Sequence, residues 1–183
     1  PPYCHADRFE EAEVTVSPGP LGLPGTLSMP KGTEKVPAVI LVHGSGPCDR
    51  DETIGACKPF RDLACGLASR GVAVLRYEKR PKQHPKSFGP GRKFTVWEET
   101  VQDALAAVAL LRENPRTDAR RIFVLGHSLG GMLAPRIAAK DKRIAGFIVL
   151  AGAARPIEDL LLEQFEYIYR LDGRVDADGN KKL

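Results

Sequence analysis

The sequence predicts an α/β fold, in which a mainly parallel sheet is flanked by helices and an N-terminal β-hairpin joins the sheet at its edge. Three observations predict it. Short alternating segments broken by Pro and Gly fill the first 35 residues. Continuous apolar runs then alternate with segments of helical spacing as far as Leu171. No internal repeat interrupts this alternation in a chain of 183 residues, which is long enough for one domain with a sizeable core.

The N-terminal segment, residues 1–35, is predicted to form the hairpin. Residues 13–16 and 25–29 alternate between apolar and polar side chains, and Pro18-Gly19-Pro20 interrupts the pattern between them. The pattern then changes, because every residue from Val36 to Val42 is apolar. A run of this kind is typical of a strand that is buried on both faces of a parallel sheet.

The core is predicted over residues 36–155, with each strand followed by a helix. The strands are 36–42, 72–77, 121–125 and 144–150, and the helices between them are 60–69, 95–112 and 129–139. Strands that alternate with helices indicate right-handed crossovers and a parallel sheet. The last segment, 156–183, is predicted to be a cap-like helix that begins after Pro156 and ends in a polar tail.

A serine turn lies between the third core strand and its helix. Gly126-His127-Ser128-Leu129-Gly130 reads G-x-S-x-G, the pattern that seats a nucleophilic serine between a strand and a helix. The backbone of such a serine is strained, so the residues two positions away on either side must be small, and Gly126 and Gly130 meet that demand. The pattern predicts Ser128 as a nucleophile. The alternative is a structural glycine-rich turn whose serine has no catalytic role.

A second glycine-rich turn, His43-Gly44-Ser45-Gly46-Pro47, directly follows the first core strand. In α/β folds that carry a G-x-S-x-G serine between a strand and a helix, a loop at this position gives one backbone donor to the oxyanion hole. The residue after the nucleophile gives the other donor. We therefore predict the N–H groups of Leu129 and Ser45 as the oxyanion donors. Gly46 is the fallback, since Pro47 has no N–H.

Two other polar segments follow core strands. Asp49-Arg50-Asp51-Glu52 is predicted to be a solvated loop of ion pairs, with the mouth of a substrate pocket as the alternative. The stretch from Lys79 to Lys93 is rich in Lys, Arg and Pro, and it is predicted to be a surface loop rather than a flap over a substrate.

Three stretches of the chain resemble a known family. "VLVHGSGPCDRDETIG", "KPFRDLACGLASRGVAVLRYEKR" and "RIFVLGHSLGGMLAPRIA" are similar to bacterial α/β-hydrolases of the dienelactone-hydrolase and acyl-esterase type, and more distantly to prolyl-oligopeptidase-like hydrolases. The resemblance covers residues 23–171. It implies the α/β-hydrolase fold, Ser128 as the nucleophile, and hydrolysis of an ester or a related acyl group. We expect neither a cofactor nor a metal.

The histidines depart from the family pattern, because none of the four follows Ser128. His43 is predicted to shape the oxyanion loop, His127 to be packed and hydrogen-bonded, and His84 to be solvated. In the family, the acid and the histidine of the triad follow later strands, whereas only one clear strand follows Ser128 here. We therefore expect a chain truncated at about two-thirds of the hydrolase domain, with the last strands missing.

Two carboxylates after the fourth strand, Glu158 and Asp159, are an alternative source of the triad acid. They stand in the first turn of the predicted cap-like helix, however, where carboxylates interact favourably with the helix dipole. We favour this structural interpretation.

The expected partner is a small-molecule ester. A peptidase or thioesterase on the same scaffold and a non-catalytic binding module of the same fold are the alternatives. A net charge of +4, spread along the chain, does not predict a nucleic-acid surface, and no apolar run is long enough for a membrane span. An unpaired last strand predicts instability, or self-association through the sheet edge.

The four cysteines show no metal-ligand spacing. Free thiols are the default prediction, and an even count leaves a disulfide open. The compartment, cytoplasmic or secreted, is therefore left open.

Overall fold

The structure is a computed structural model that describes residues 2–17, 20–88 and 91–173. It divides into two compact units, Pro1–Gly152 and Ala153–Leu183. The elements of the first unit, in chain order, are β1 (Phe9–Val16), β2 (Leu23–Pro30), β3 (Val36–Val42), α1 (Pro59–Ala68), β4 (Ala73–Tyr77), α2 (Arg80–Gln83), a π-helical turn (Trp97–Val101), α3 (Gln102–Glu113), β5 (Thr117–His127), α4 (Leu129–Lys140) and β6 (Gly146–Leu150).

The second unit contains α5, Ile157–Leu171. Glu158 and Asp159 stand in its first turn and are exposed, as the helix-dipole interpretation predicts. The predicted polar tail from residue 174 onward lies outside the described residues.

Six strands form one mixed sheet in the order β1-β2-β4-β3-β5-β6. The predicted hairpin is confirmed, since β1 pairs with β2 in antiparallel register and β2 pairs with β4 in the same sense. Strands β4, β3, β5 and β6 are parallel to one another. The carboxyl ends of these four strands therefore meet at one edge of the sheet, which is where ligands bind in parallel α/β sheets.

Helices cover both faces of the sheet. On one face, α3 and α4 pack against β3 and β5 and bury the larger cluster of apolar side chains, among them Val42, Leu111 and Ile137. On the other face, α1 buries Phe60 and Ala64 against Leu41. The continuous apolar runs of the core strands follow from this double burial.

Two elements differ from the prediction. The long helix predicted from Thr95 begins instead with the π-helical turn, and α3 follows only from Gln102. The predicted loop from Lys79 begins with the short helix α2, and both Lys79 and Arg80 are buried.

A disulfide joins Cys4 to Cys65, whose Cα atoms lie 5.2 Å apart. The default prediction of free thiols is therefore wrong for this pair, whereas Cys48 and Cys57 are free. The bond links the N-terminal segment to α1 across 61 residues. Sequence spacing could not identify this pair, because a single bond can join any two of the four cysteines.

The two edges of the sheet carry different side chains. On β1, the residues Glu10, Glu11 and Glu13 are exposed, and charges of this kind hinder pairing with another strand. On β6, by contrast, Phe147, Ile148 and Val149 are 42–46% exposed. Within the described residues, β6 has no strand on its outer side.

We expect this 183-residue chain to self-associate, because β6 presents an apolar edge with unpaired backbone groups. Replacement of Ile148 by lysine should shift the chain toward monomer, as measured by sedimentation velocity at several protein concentrations. The control is Ala12→Lys on the acidic edge strand β1, which should leave the association unchanged. A monomeric wild-type chain at all concentrations would contradict the expectation.

Candidate active site

Ser128 lies in a strained turn between β5 and α4. Its φ of 52° and ψ of −116° belong to a region that residues with a side chain rarely adopt. The turn is held from both sides, because the Ser128 N–H donates to the carbonyl of Leu150 at 2.9 Å and its own carbonyl accepts from the N–H of Met132 at 3.0 Å. The strain therefore persists at a serine whose position is fixed by β6 and α4.

Two glycines allow the turn to be this tight. A Cβ on Gly126 would overlap the carbonyl group of Gly130, and a Cβ on Gly130 would overlap the carbonyl oxygens of Val42 and His43. The demand for small residues two positions from Ser128 is thus a consequence of backbone contact. Gly130 also brings α4 directly against the end of β3, where the other glycine-rich turn begins.

The turn after β3 lies beside Ser128. A Cβ on Gly44 would lie 3.3 Å from the Cβ of Ser128, which is a tight contact, so the two turns lie close together here. Leu129 is the first residue of α4, where a backbone N–H has no acceptor within the helix. Within the described residues, the N–H of Ser45 donates no hydrogen bond either. Two unengaged backbone donors therefore lie in the Ser128 turn and in the turn beside it.

A buried carboxylate, Glu52, connects the two turns. Its Oε1 accepts a hydrogen bond from the N–H of Gly44 at 2.7 Å and lies 3.0 Å from Nδ1 of His127. The side chain is almost fully buried, and its Oε2 has no hydrogen-bond partner among the described residues. The prediction of a solvated loop is therefore wrong at Glu52, although Arg50 and Asp51 do form ion pairs.

A buried ammonium group holds the other side of Gly44. Nζ of Lys79 donates to the carbonyl oxygen of Gly44 at 2.7 Å and to Oε1 of Glu99 at 2.6 Å. Lys79 follows β4 and is 2% exposed, while Glu99 lies in the π-helical turn. The prediction of a surface loop from Lys79 onward is wrong at its first residues for this reason.

His43 is buried between the aromatic rings of Phe60 and Tyr77, whose centroids lie 5.2 and 5.4 Å from that of the imidazole. Burial, with the nearby charge of Lys79, lowers the pKa of His43 to about 3. An imidazole with so low a pKa is a poor general base at neutral pH. His43 is therefore a poor candidate for the base, and its role in shaping the loop stays a prediction.

The other histidines near the sheet are engaged as well. His127 is hydrogen-bonded, as predicted, and its partner is Glu52. His84 is half-buried, with Nε2 3.2 Å from the carbonyl oxygen of Gly22, so the prediction of a solvated side chain is wrong. Within the described residues, no histidine is hydrogen-bonded to the Ser128 hydroxyl.

The buried, neutral His43 should make stability depend on pH. In the unfolded chain it takes up a proton below its ordinary pKa of 6.5, whereas in the folded protein it does so only near 3. Its contribution to stability is therefore lost as the pH falls through this window, by at most about 1.4 kcal/mol per pH unit. Urea unfolding between pH 7 and pH 4.5 should give a smaller slope for His43→Gln than for wild type. The same substitution at exposed His5 is the control, and equal slopes for His43→Gln and wild type would refute the expectation.

An open groove of about 500 Å³ adjoins the loop after β3. It is lined by Gly46, Pro47, Pro81, Pro85, Phe88, Phe94 and Glu99. The rings of Phe88 and Phe94 pack edge to face, with centroids 4.7 Å apart. A larger cavity, of about 620 Å³, lies by Cys4 and α1 and is lined by no residue of either turn.

Among the described residues, no group of three or more His, Cys, Asp or Glu side chains is arranged to hold a metal ion. No helix in this part of the chain has the length and apolar character needed to cross a membrane.

Comparison with known proteins identifies the family. Residues 39–179 match the model of the Alpha/beta hydrolase family, which is more than half of the chain. The chain belongs to the α/β-hydrolase family. The predicted family and fold are therefore confirmed, and the two turns described above occupy the strand ends where an α/β-hydrolase carries its nucleophile and oxyanion loop.

Two curated α/β-hydrolase relatives are considerably longer than this chain. Esterase EstD of Thermotoga maritima is 47% identical over 174 residues, which cover 93% of this chain and 39% of the esterase. Thiohydrolase aneE of Aspergillus aculeatus is 28% identical over 136 residues, which cover 74% of this chain and 39% of the thiohydrolase. The chain thus spans about two-fifths of the length of either relative.

Solved structures share the α/β-hydrolase fold. The dienelactone hydrolase from Anabaena variabilis superposes with a TM-score of 0.62 at 24% identity, over 79% of this chain and 64% of that protein. Esterase Est22 gives a TM-score of 0.60 at 22% identity, over 82% of this chain and 46% of that protein.

The fold brings together the predicted site residues Ser128, Leu129 and Ser45, because they follow the adjacent strands β5 and β3. The sequence offers Glu52 and Lys79 only through the alternatives of a pocket mouth and a flap, and it does not point to Glu99. One signal was available for Lys79, since it follows the strand next to β3 and parallel strands place their carboxyl ends together. The sequence separation of 35 between Gly44 and Lys79 hides this proximity.

Proposed function

We propose that this chain supplies the nucleophile and the oxyanion hole of a serine hydrolase that cleaves carboxylic esters. Ser128 attacks the acyl carbon, and the N–H groups of Leu129 and Ser45 stabilise the negative charge that develops on the carbonyl oxygen. The observation that carries the proposal is the strained Ser128 turn packed against the loop of Gly44, with two free backbone donors beside it.

The reaction has two halves. In the first, Ser128 Oγ bonds to the acyl carbon, its proton passes to a base, and the alcohol leaves with that proton. In the second, water attacks the acyl-enzyme, releases the carboxylic acid and returns the proton to Ser128. In a strained strand-to-helix turn of this kind, the serine hydroxyl is exposed at the end of the strand and the next N–H belongs to the oxyanion hole. The φ of Ser128 and the start of α4 at Leu129 support this arrangement.

The base is proposed to lie outside residues 1–183. The low pKa of His43 makes it a poor proton acceptor, and His127 is bonded to Glu52. A histidine and its acid partner are instead expected after Leu183 in a longer protein. The curated relatives extend well beyond the segment that they share with this chain, which supports a base outside residues 1–183.

The substrate class rests on the relative with the higher identity. A protein named an esterase is 47% identical over almost the whole chain, which supports an oxygen ester. A second candidate is a thioester, favoured by the 28% identical thiohydrolase. The apolar groove by Gly46 is suited to an apolar acyl or alcohol group. The protein should therefore hydrolyse an oxygen ester faster than the matched thioester.

The test is covalent labelling of the full-length protein with a fluorophosphonate. The probe should phosphonylate one serine, and peptide mass spectrometry should locate the adduct on the peptide that contains Ser128. The Ser128→Ala variant should carry no adduct. Unlabelled full-length protein would overturn the serine-hydrolase proposal and support a binding module of the same fold.

A further inference from the structure

We propose that Lys79, paired with Glu99, is a positioning residue that fixes the Gly44–Ser45 peptide so that the Ser45 N–H serves as an oxyanion donor. The inference rests on the proposed function. Lys79 touches neither Ser128 nor the substrate in this scheme. It acts through the backbone of the loop, at the carbonyl group of Gly44.

The geometry of one peptide unit carries the argument. The carbonyl of Gly44 and the N–H of Ser45 belong to the same trans peptide, so they point in opposite directions from one rigid plane. The bond of 2.7 Å from Lys79 Nζ to the Gly44 carbonyl therefore also sets the direction of the Ser45 N–H. A cation on the carbonyl polarises the peptide as well, and this strengthens its N–H as a donor.

The peptide that precedes it, which carries the Gly44 N–H, is held by the carboxylate of Glu52. The Gly44 N–H donates to Glu52 Oε1 at 2.7 Å, so charged side chains hold the peptide planes on both sides of Gly44. Glycine is the residue with the greatest freedom in φ and ψ, and a loop that contains it needs such restraint to keep one conformation. A side chain on Gly44 would be in tight contact with Ser128 and Glu52, at 3.3 Å from its Cβ.

Stability alone does not account for the pair. Lys79 is 2% exposed, and its removal from water carries a cost that can exceed the gain from its bond to Glu99. Replacement of a buried ion pair by apolar residues of similar size is often neutral or stabilising. A buried ammonium group bonded to the backbone of the predicted oxyanion loop therefore indicates a role in the reaction.

The test compares Lys79→Met with the double variant Lys79→Met/Glu99→Met in the full-length protein. The single variant leaves Glu99 without its cation and should lower both stability and kcat. The double variant removes both charges and should regain stability. Because the Gly44 carbonyl still lacks its cation, kcat should remain about 10- to 100-fold below wild type in both, with KM within about threefold.

The control is Arg112→Met, which breaks another partly buried ion pair, to Asp141 at 2.8 Å, at the far end of α3. It should lower stability and leave kcat unchanged. Recovery of kcat together with stability in the Lys79/Glu99 double variant would show a merely structural role and overturn the proposal. Wild-type kcat in Lys79→Met would overturn it equally.

A measurement that needs no activity separates this inference from the proposed function. The amide resonance of Ser45 in an ¹H–¹⁵N spectrum should shift in Lys79→Met and in the double variant, and stay in place in Arg112→Met. A protein that neither takes the fluorophosphonate nor hydrolyses esters would overturn the proposed function, and a shifted resonance would still support the positioning role. An unmoved Ser45 resonance would overturn the positioning role.

Discussion

Replacement of Ser128 by alanine in the full-length protein is expected to lower kcat/KM for ester hydrolysis by at least about 10⁴-fold. The reason is that the acyl-enzyme cannot form without the hydroxyl, while the donors of the oxyanion hole remain and account for a residual rate. The measurement is the hydrolysis of a chromogenic ester under conditions that separate kcat from KM. The loss should fall on kcat.

The fold should survive this substitution, because alanine keeps the Cβ and the backbone bonds to Leu150 and Met132 are unchanged. Circular dichroism and urea unfolding of the variant should match wild type. Thr33→Ala, which removes an exposed hydroxyl between β2 and β3, is the matched control and should retain full activity. Wild-type hydrolysis by Ser128→Ala would assign the reaction to another nucleophile.

Replacement of Gly130 by alanine is expected to destabilise the fold by about 3 kcal/mol, the upper part of the usual range for overpacking. The new methyl group would overlap the carbonyl oxygens of Val42 and His43, and backbone atoms cannot move aside as a flexible side chain can. The Ser128 turn and the loop after β3 must then move apart. The free energy of unfolding in urea measures the effect, and ester hydrolysis should be lost with it.

Gly146→Ala on β6 is the matched control for this prediction. A Cβ there would lie 3.4 Å from ring carbons of Phe123, which is an ordinary van der Waals contact. The control should change stability by less than about 1 kcal/mol. Equal stabilities of the two glycine variants would mean that the close packing of Gly130 on β3 is absent in solution.

The elements that could be predicted from the sequence are those with a local cause. The apolar run of β3 and the helical spacing of α1 follow from burial on one or two faces, and both elements lie within one residue of their predicted ends. The Ser128 turn could also be predicted, because its cause is local as well. Gly126 and Gly130 are needed to avoid backbone overlap, and they lie within five consecutive residues.

The supports of the site could not be predicted, because their causes are not local. Lys79 is buried through partners in two other elements, and Glu52 through Gly44 and His127. A lysine or a glutamate in a polar loop is exposed in most proteins, so composition favoured the wrong interpretation for both. The Cys4–Cys65 bond is of the same kind, since only the packed fold brings the two cysteines together.

The wide spacing of these contacts has a consequence for the order of folding. The loop after β3 reaches Lys79 across 35 residues, and Glu52 reaches His127 across 75. Chain segments this far apart must first close large loops, and proteins dominated by such contacts fold slowly. The candidate site should therefore form late in folding. During synthesis, the loop after β3 emerges first, and β5 must also be synthesised before Ser128 can pack against that loop.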